Sequence, residues 1–205
     1  MKEKKLTRSE LKRAAVIHAA MQEFQLKGFK TASMDDIAKR AEVSKRTVYN
    51  HFSSKEILFN AILSEMITIL GTFEPVPFSV DIPAEVQLKK LAAHEISMLR
   101  KDGFITAAKV IIAEGIHSPE LIKDAMDSFS KQETPLASWF KAAAAAGVLK
   151  TEQPDIVATQ FTAVIKAFCF WPQVIQDAQF PDDTYIALVS DTAVQMILKQ
   201  YIAAA

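Results

Sequence analysis

The sequence predicts an all-α fold, with a head of short helices followed by a larger helical body. Three observations carry this expectation. The 205 residues include only five glycines, and Ala, Leu, Ile, Lys and Glu, which favour helix, are abundant. Apolar residues recur at steps of three and four along nearly the whole chain. No stretch shows the sustained alternation of a half-buried strand.

Leu11, Ala14, Ile17, Met21 and Phe24 line one face of a first helix, which Gly28 stops. Ser33 is placed to cap a second helix, with Asp35 and Asp36 in its positive first turn. That helix buries Met34, Ile37, Ala38 and Ala41. A third starts after Ser44 and ends near Phe52. Ser54 opens a longer helix that runs through Ile57, Leu58 and Ile62 to the neighbourhood of Leu70. GTFEPVPFSVDIP, residues 71–83, carries three prolines; it cannot be helix interior and is the clearest break in the chain. Helical patterns resume at 84–102, 104–116, 118–147, 154–177 and 182–202. Pro119, Pro154 and Pro181 are placed to begin helices. Pro135 and Pro172 are placed to kink or split them.

The N-terminal MKEKKLTRSELKR is charged and lacks the apolar core of a secretory signal. No run of about 18 apolar residues suggests a membrane span. The single cysteine, Cys169, leaves no intramolecular disulfide to form, and a cytoplasmic protein is expected. His18, His51, His94 and His117 form no HxxxH or HExxH pair, so neither a metal site nor a cofactor is expected. The phosphate-cradling GxGxxG and GxxxxGK patterns and the nucleophile elbow GxSxG are missing, which argues against an enzyme. Cys169, within FCFW, reads as a small buried apolar residue.

The formal net charge of zero hides an asymmetry. Residues 1–58 carry 13 Lys and Arg against 7 Asp and Glu, whereas residues 59–205 carry 11 against 17. A basic head on an acidic body points to a polyanionic partner for the head. Its focus is SMDDIAKRAEVSKRTVYNHF, residues 33–52. Counting Met34 as the first position, Ala38 is the fifth, Val43 the tenth and Val48 the fifteenth. A helix-turn-helix needs a small residue where its helices cross, an apolar residue in the turn and another in the second helix. The outward face of the second helix then carries Lys45, Arg46, Thr47, Tyr49, Asn50 and His51, which suit a DNA major groove and its phosphate edges.

Through these residues the chain resembles the TetR family of transcriptional regulators. The resemblance covers residues 10–60, from the helix ending in FQLKGFKTAS through SMDDIAKRAEVSKRTVYNHFSSKEILF. The later residues match in length and helical character. One departure is Glu42, where the motif commonly has a turn glycine; its left-handed backbone is expected to cost about 1 kcal/mol.

The resemblance implies a helix-turn-helix DNA-binding domain over 1–55 and a helical effector-binding and dimerisation domain over 56–205. Lys45 and Arg46 would reach base edges, and Thr47 a thymine methyl or a phosphate. Tyr49, Asn50 and His51 would line the groove. Lys55 would hold a phosphate beside a helix N-terminus, with Ser33 and Ser44 capping and bonding phosphate. Helices 154–177 and 182–202 would form a homodimer interface.

The body would enclose a hydrophobic or amphipathic effector. The candidate walls are Met98, Phe104, Met126, Phe129, Trp139, Phe168 and Trp171, with His94, Glu114 and His117 as polar groups. The expected function is a ligand-responsive repressor that binds a palindromic operator as a dimer and is released by its effector. An architectural DNA binder, or a helical enzyme whose helix-turn-helix is only structural, are the alternatives.

Overall fold

A computed structural model of the chain describes residues 7–71, 76–120, 122–123 and 134–202. Its helices are α1 (Arg8–Lys27), α2 (Met34–Arg40), α3 (Lys45–His51), α4 (Lys55–Gly71), α5 (Ala84–Leu99), α6 (Phe104–His117), α7 (Pro135–Ala145), α8 (Pro154–Cys169), α9 (Trp171–Ile175) and α10 (Asp183–Tyr201). Outside them, the described residues include one isolated antiparallel bridge, between Leu149 and Ile202.

The chain divides into two compact units, the first formed by the described residues of Met1–Thr68 and Thr106–Phe129, the second by those of Ile69–Ile105 and Ser130–Ala205.

In the first unit, α1 starts with a reciprocal cap. The Thr7 hydroxyl accepts the Glu10 N–H, and the Glu10 carboxylate accepts the Thr7 N–H at 2.7 Å. Gly28 ends the helix at φ 75°, its N–H bonded to Phe24 O at 2.8 Å. Ser33 and Ser44 cap α2 and α3 by accepting the N–H groups of Asp36 and Thr47, both at 3.1 Å. The core joins Ile17, Phe24, Phe29, Ile37, Ala38, Val48, Phe52, Leu58, Phe59 and Ile62 to Ala107, Val110 and Ile111 of α6. Phe24, Phe29 and Phe59 meet through tilted and edge-on ring contacts. The expected apolar stripe of α1 is buried only from Val16 onward; Leu11 and Ala14 are exposed. The core residues of α1 therefore lie between Val16 and Phe24.

In the second unit, α10 packs on α5 and α8, and α7 packs on α8. Leu88, Leu91, Trp139, Phe140, Phe161, Ile165, Val194 and Ile197 are buried there. Gln87 anchors the proline-rich break. Its amide N–H groups donate to Ser79 O at 2.8 Å and Ile82 O at 2.6 Å. Its Oε1 accepts the Ser79 N–H at 2.9 Å and the Trp139 indole N–H at 3.0 Å.

Pro154 opens α8 as expected, whereas Pro181 lies ahead of the Asp182 cap and α10 begins only at Asp183. Pro135 is the first residue of α7 behind a Thr134 cap, so the 118–147 pattern is interrupted there. Pro172 lies in the first turn of α9, and Phe170 separates α8 from α9 within the 154–177 pattern. Ile122 and Lys123 donate to Pro119 O at 3.3 and 3.1 Å, a helical turn that opens at that proline. The 84–102 pattern stops at Leu99, and Gly103 turns the chain at φ 79°. Ile156, Phe168, Trp171, Ile175, Tyr185, Leu188 and Met196, all on α8–α10, remain 40–70% exposed.

Candidate nucleic-acid interface

The reading head is set by small and apolar residues on its inner side. Ala38 is 2% exposed, and Val48 and Ile37 are fully buried. Val43 N–H donates to Ala38 O at 3.1 Å across the turn, and Glu42 sits there at φ 55°. Because Val48 faces inward, Lys45, Arg46, Tyr49 and Asn50 point outward and are exposed, while Thr47 and His51 are half-buried.

Ion pairs tie α2 to α1. The buried Glu23 carboxylate accepts Arg40 Nε at 2.7 Å and pairs with Lys27 at 2.9 Å. Lys27 also donates to Asp36 at 3.0 Å, and Asp36 accepts the Ser33 hydroxyl at 2.9 Å. Bonding to Lys27 and then Arg40 holds the Glu23 carboxyl below the usual glutamate range. Lys27 and then Ser33 do the same for Asp36. The i,i+4 spacing of Glu23 and Lys27 is visible in sequence; the Arg40 partner, 17 residues away, is not.

The expected DNA contacts are therefore not equivalent. Arg46 has no acidic partner among the described residues. Lys45 donates to Asp35 of α2. Ser44 and Thr47 share a hydroxyl bond of 2.8 Å. Lys55 donates to Lys30 O and Ala32 O, both at 3.0 Å, and lies 4.8 Å over the Phe29 ring. Two of its three ammonium donors thus close the α1–α2 loop, leaving one for a phosphate.

Of the residues expected around an effector, Glu114 and His117 belong to the first unit and His94, Met98, Phe104, Trp139, Phe168 and Trp171 to the second. Met98, Phe104 and Trp139 are buried, Trp139 with its indole N–H engaged by Gln87. Phe104 contacts the Phe170 ring edge-on at 6.4 Å. His94 is half-buried and His117 exposed. Phe168 and Trp171 are 40% and 48% exposed. Glu114 is committed within the first unit, where it accepts the Phe29 N–H at 3.0 Å. Met126 and Phe129 lie outside the described residues.

A groove of about 600 Å³ runs between α5 and α10, lined by Ala93, Ile96, Ser97, Arg100, Asp183 and Ile186 among others. None of the described candidates lines it. Among the described residues no His, Cys, Asp and Glu group is arranged to hold a metal, and no helix is long and apolar enough to cross a membrane.

A short recognition helix with a basic, aromatic outer face, braced on two supporting helices, defines a helix-turn-helix DNA-binding protein. The pattern of bacterial regulatory proteins of the tetR family matches residues 16–62, and that of the AefR-like transcriptional repressor C-terminal domain matches residues 86–203. The chain belongs to the TetR family of transcriptional regulators. It is 35% identical to a TetR-family regulator from Pseudomonas syringae pv. tomato whose crystal structure superposes with a TM-score of 0.83, covering 98% of this chain and 100% of that one. The flavonoid-responsive regulator FrrA is 27% identical with a TM-score of 0.66, over 95% and 98% of the two chains. The transcriptional regulator UidR of Escherichia coli is 32% identical over 119 residues; the match spans 56% of this chain and 57% of UidR.

Proposed function

We propose that the protein is a dimeric, effector-responsive repressor. The carrying observation is the exposed row Arg46, Tyr49 and Asn50, opposite the fully buried Val48, on a helix packed against α1 and α2. Arg46 meets base edges, a guanidinium on guanine O6 and N7 being the commonest specific contact. Ser33, Ser44, Thr47, Tyr49, Asn50, His51 and Lys55 supply groove and phosphate contacts, and Lys45 is the further basic group at the start of α3.

The reading function belongs to residues 1–55, and effector binding and pairing to 56–205. The exposed apolar side chains of α8–α10 support homodimer formation through 154–177 and 182–202. Two copies would present two recognition helices to the half-sites of a palindrome.

The effector binds in the body and is hydrophobic or amphipathic. The apolar richness of this unit supports that class, as does FrrA's description as flavonoid-responsive. Effector and DNA then compete through their differential affinity for two states of the protein. A thermal-shift screen of apolar and amphipathic compounds, followed by DNA-binding titrations with each stabilising compound, tests this. A compound that raises the melting temperature should weaken DNA binding, with the reciprocal loss of compound affinity on DNA. Stabilising compounds that uniformly tighten DNA binding would contradict release.

A further inference from the structure

We infer that Asp35 is a specificity-determining residue: it holds the Lys45 ammonium across the turn between α2 and α3 and withholds that charge from sequence-independent phosphate binding. This rests on the reading of α3 as the DNA-contacting helix.

Asp35 and Asp36 are consecutive in the first turn of α2, yet their partners differ. Asp36 is bonded to Lys27 and Ser33 and braces α2 on α1. Asp35 instead pairs with Lys45, the first residue of the recognition helix. The two side chains are 46% and 63% exposed. A pair so open to water contributes little to the fold. Its consequence lies in what approaches that surface. A phosphate that draws Lys45 away gains one cation and leaves a bare carboxylate beside a polyanion, so the net charge offered to any duplex barely changes. Arg46, next in sequence, has no such partner among the described residues and stays available for base edges. Discrimination between partners needs this kind of element acting against the wrong one as well as contacts to the right one. The bond to Asp35 also raises the Lys45 pKa above the ordinary lysine value.

The test is a salt titration of binding to a short random-sequence duplex, using full-length wild type, Asp35→Asn, Lys45→Ala and the double variant, each checked for an unchanged circular dichroism spectrum. Each phosphate neutralised adds about 0.9 to the slope of log affinity against log salt. Asp35→Asn should steepen the slope by about 0.9, so that a fourfold rise in salt costs it about 3.5-fold more affinity than wild type. In the Lys45→Ala background the same substitution should change the slope by clearly less, since only the repulsion of a bare carboxylate is then removed. The ratio of affinities for a selected operator and the random duplex should fall in Asp35→Asn. An unchanged slope in Asp35→Asn, or an equal increment without Lys45, overturns the inference. Wild type that shows no salt-dependent binding to the random duplex overturns the DNA-binding reading itself, and the wild-type arm separates that failure from the first.

Discussion

Glu42 turns the corner between α2 and α3 at φ 55°, a left-handed conformation in which a Cβ crowds the following carbonyl. The motif position was legible in sequence, and so was its strain, because a turn that commonly holds glycine here holds a side chain. Glu42→Gly should relieve about 1–2 kcal/mol of strain against about 0.5–1 kcal/mol of added chain entropy in the unfolded state. Urea unfolding should therefore show no loss and a gain of up to about 1.5 kcal/mol. Glu23 is only half legible, since its i,i+4 spacing from Lys27 is visible in sequence while nothing there points to Arg40. Its folded pKa is depressed by Lys27 and Arg40, so its contribution is present above the unfolded value and is lost as pH falls through the folded one. Glu23→Gln should cost about 1–3 kcal/mol at pH 7. The gap to wild type should close as pH drops below about 4.3, read from melting temperatures across pH.

At the scale of elements, capping and proline placement were readable because they are local. Ser33, Ser44 and Pro154 start helices where the sequence places them. What joins one helix to another was not readable, since it depends on which faces meet. Glu95 of α5 is buried and 3.5 Å from Lys166 of α8. Burial raises its pKa despite the opposing effect of Lys166. The sign is therefore opposite to that of Glu23: the stability linked to its protonated form is full below the unfolded pKa and is lost as pH rises through the folded pKa. Glu95→Gln should be more stable than wild type at pH 7–8 and indistinguishable from it near pH 4, in the same melting series.

The whole molecule shows why the effector residues were the least legible. Aromatic residues at helical spacing look alike in sequence whether they fill a core or face outward. Trp139 is buried and hydrogen-bonded to Gln87, whereas Phe168 and Trp171 are on the surface of α8 and α9. Both exposed members of that set lie within 154–177, a stretch proposed for pairing. Leu188 is 61% exposed on α10, so Leu188→Glu removes no core packing while placing a charge in the other such stretch, 182–202. Sedimentation should give the mass of one chain for this variant and of two chains for wild type, with an unchanged helical spectrum in both. A dimeric Leu188→Glu would place the interface elsewhere.

The central claim is that two recognition helices, borne by a dimer, read a palindrome. Selection of bound sequences from a random duplex pool at moderate salt tests it most directly. Enrichment of an inverted repeat with a fixed half-site spacing is the predicted result. Recovery of no preferred sequence, at concentrations where the purified protein is folded, would contradict it.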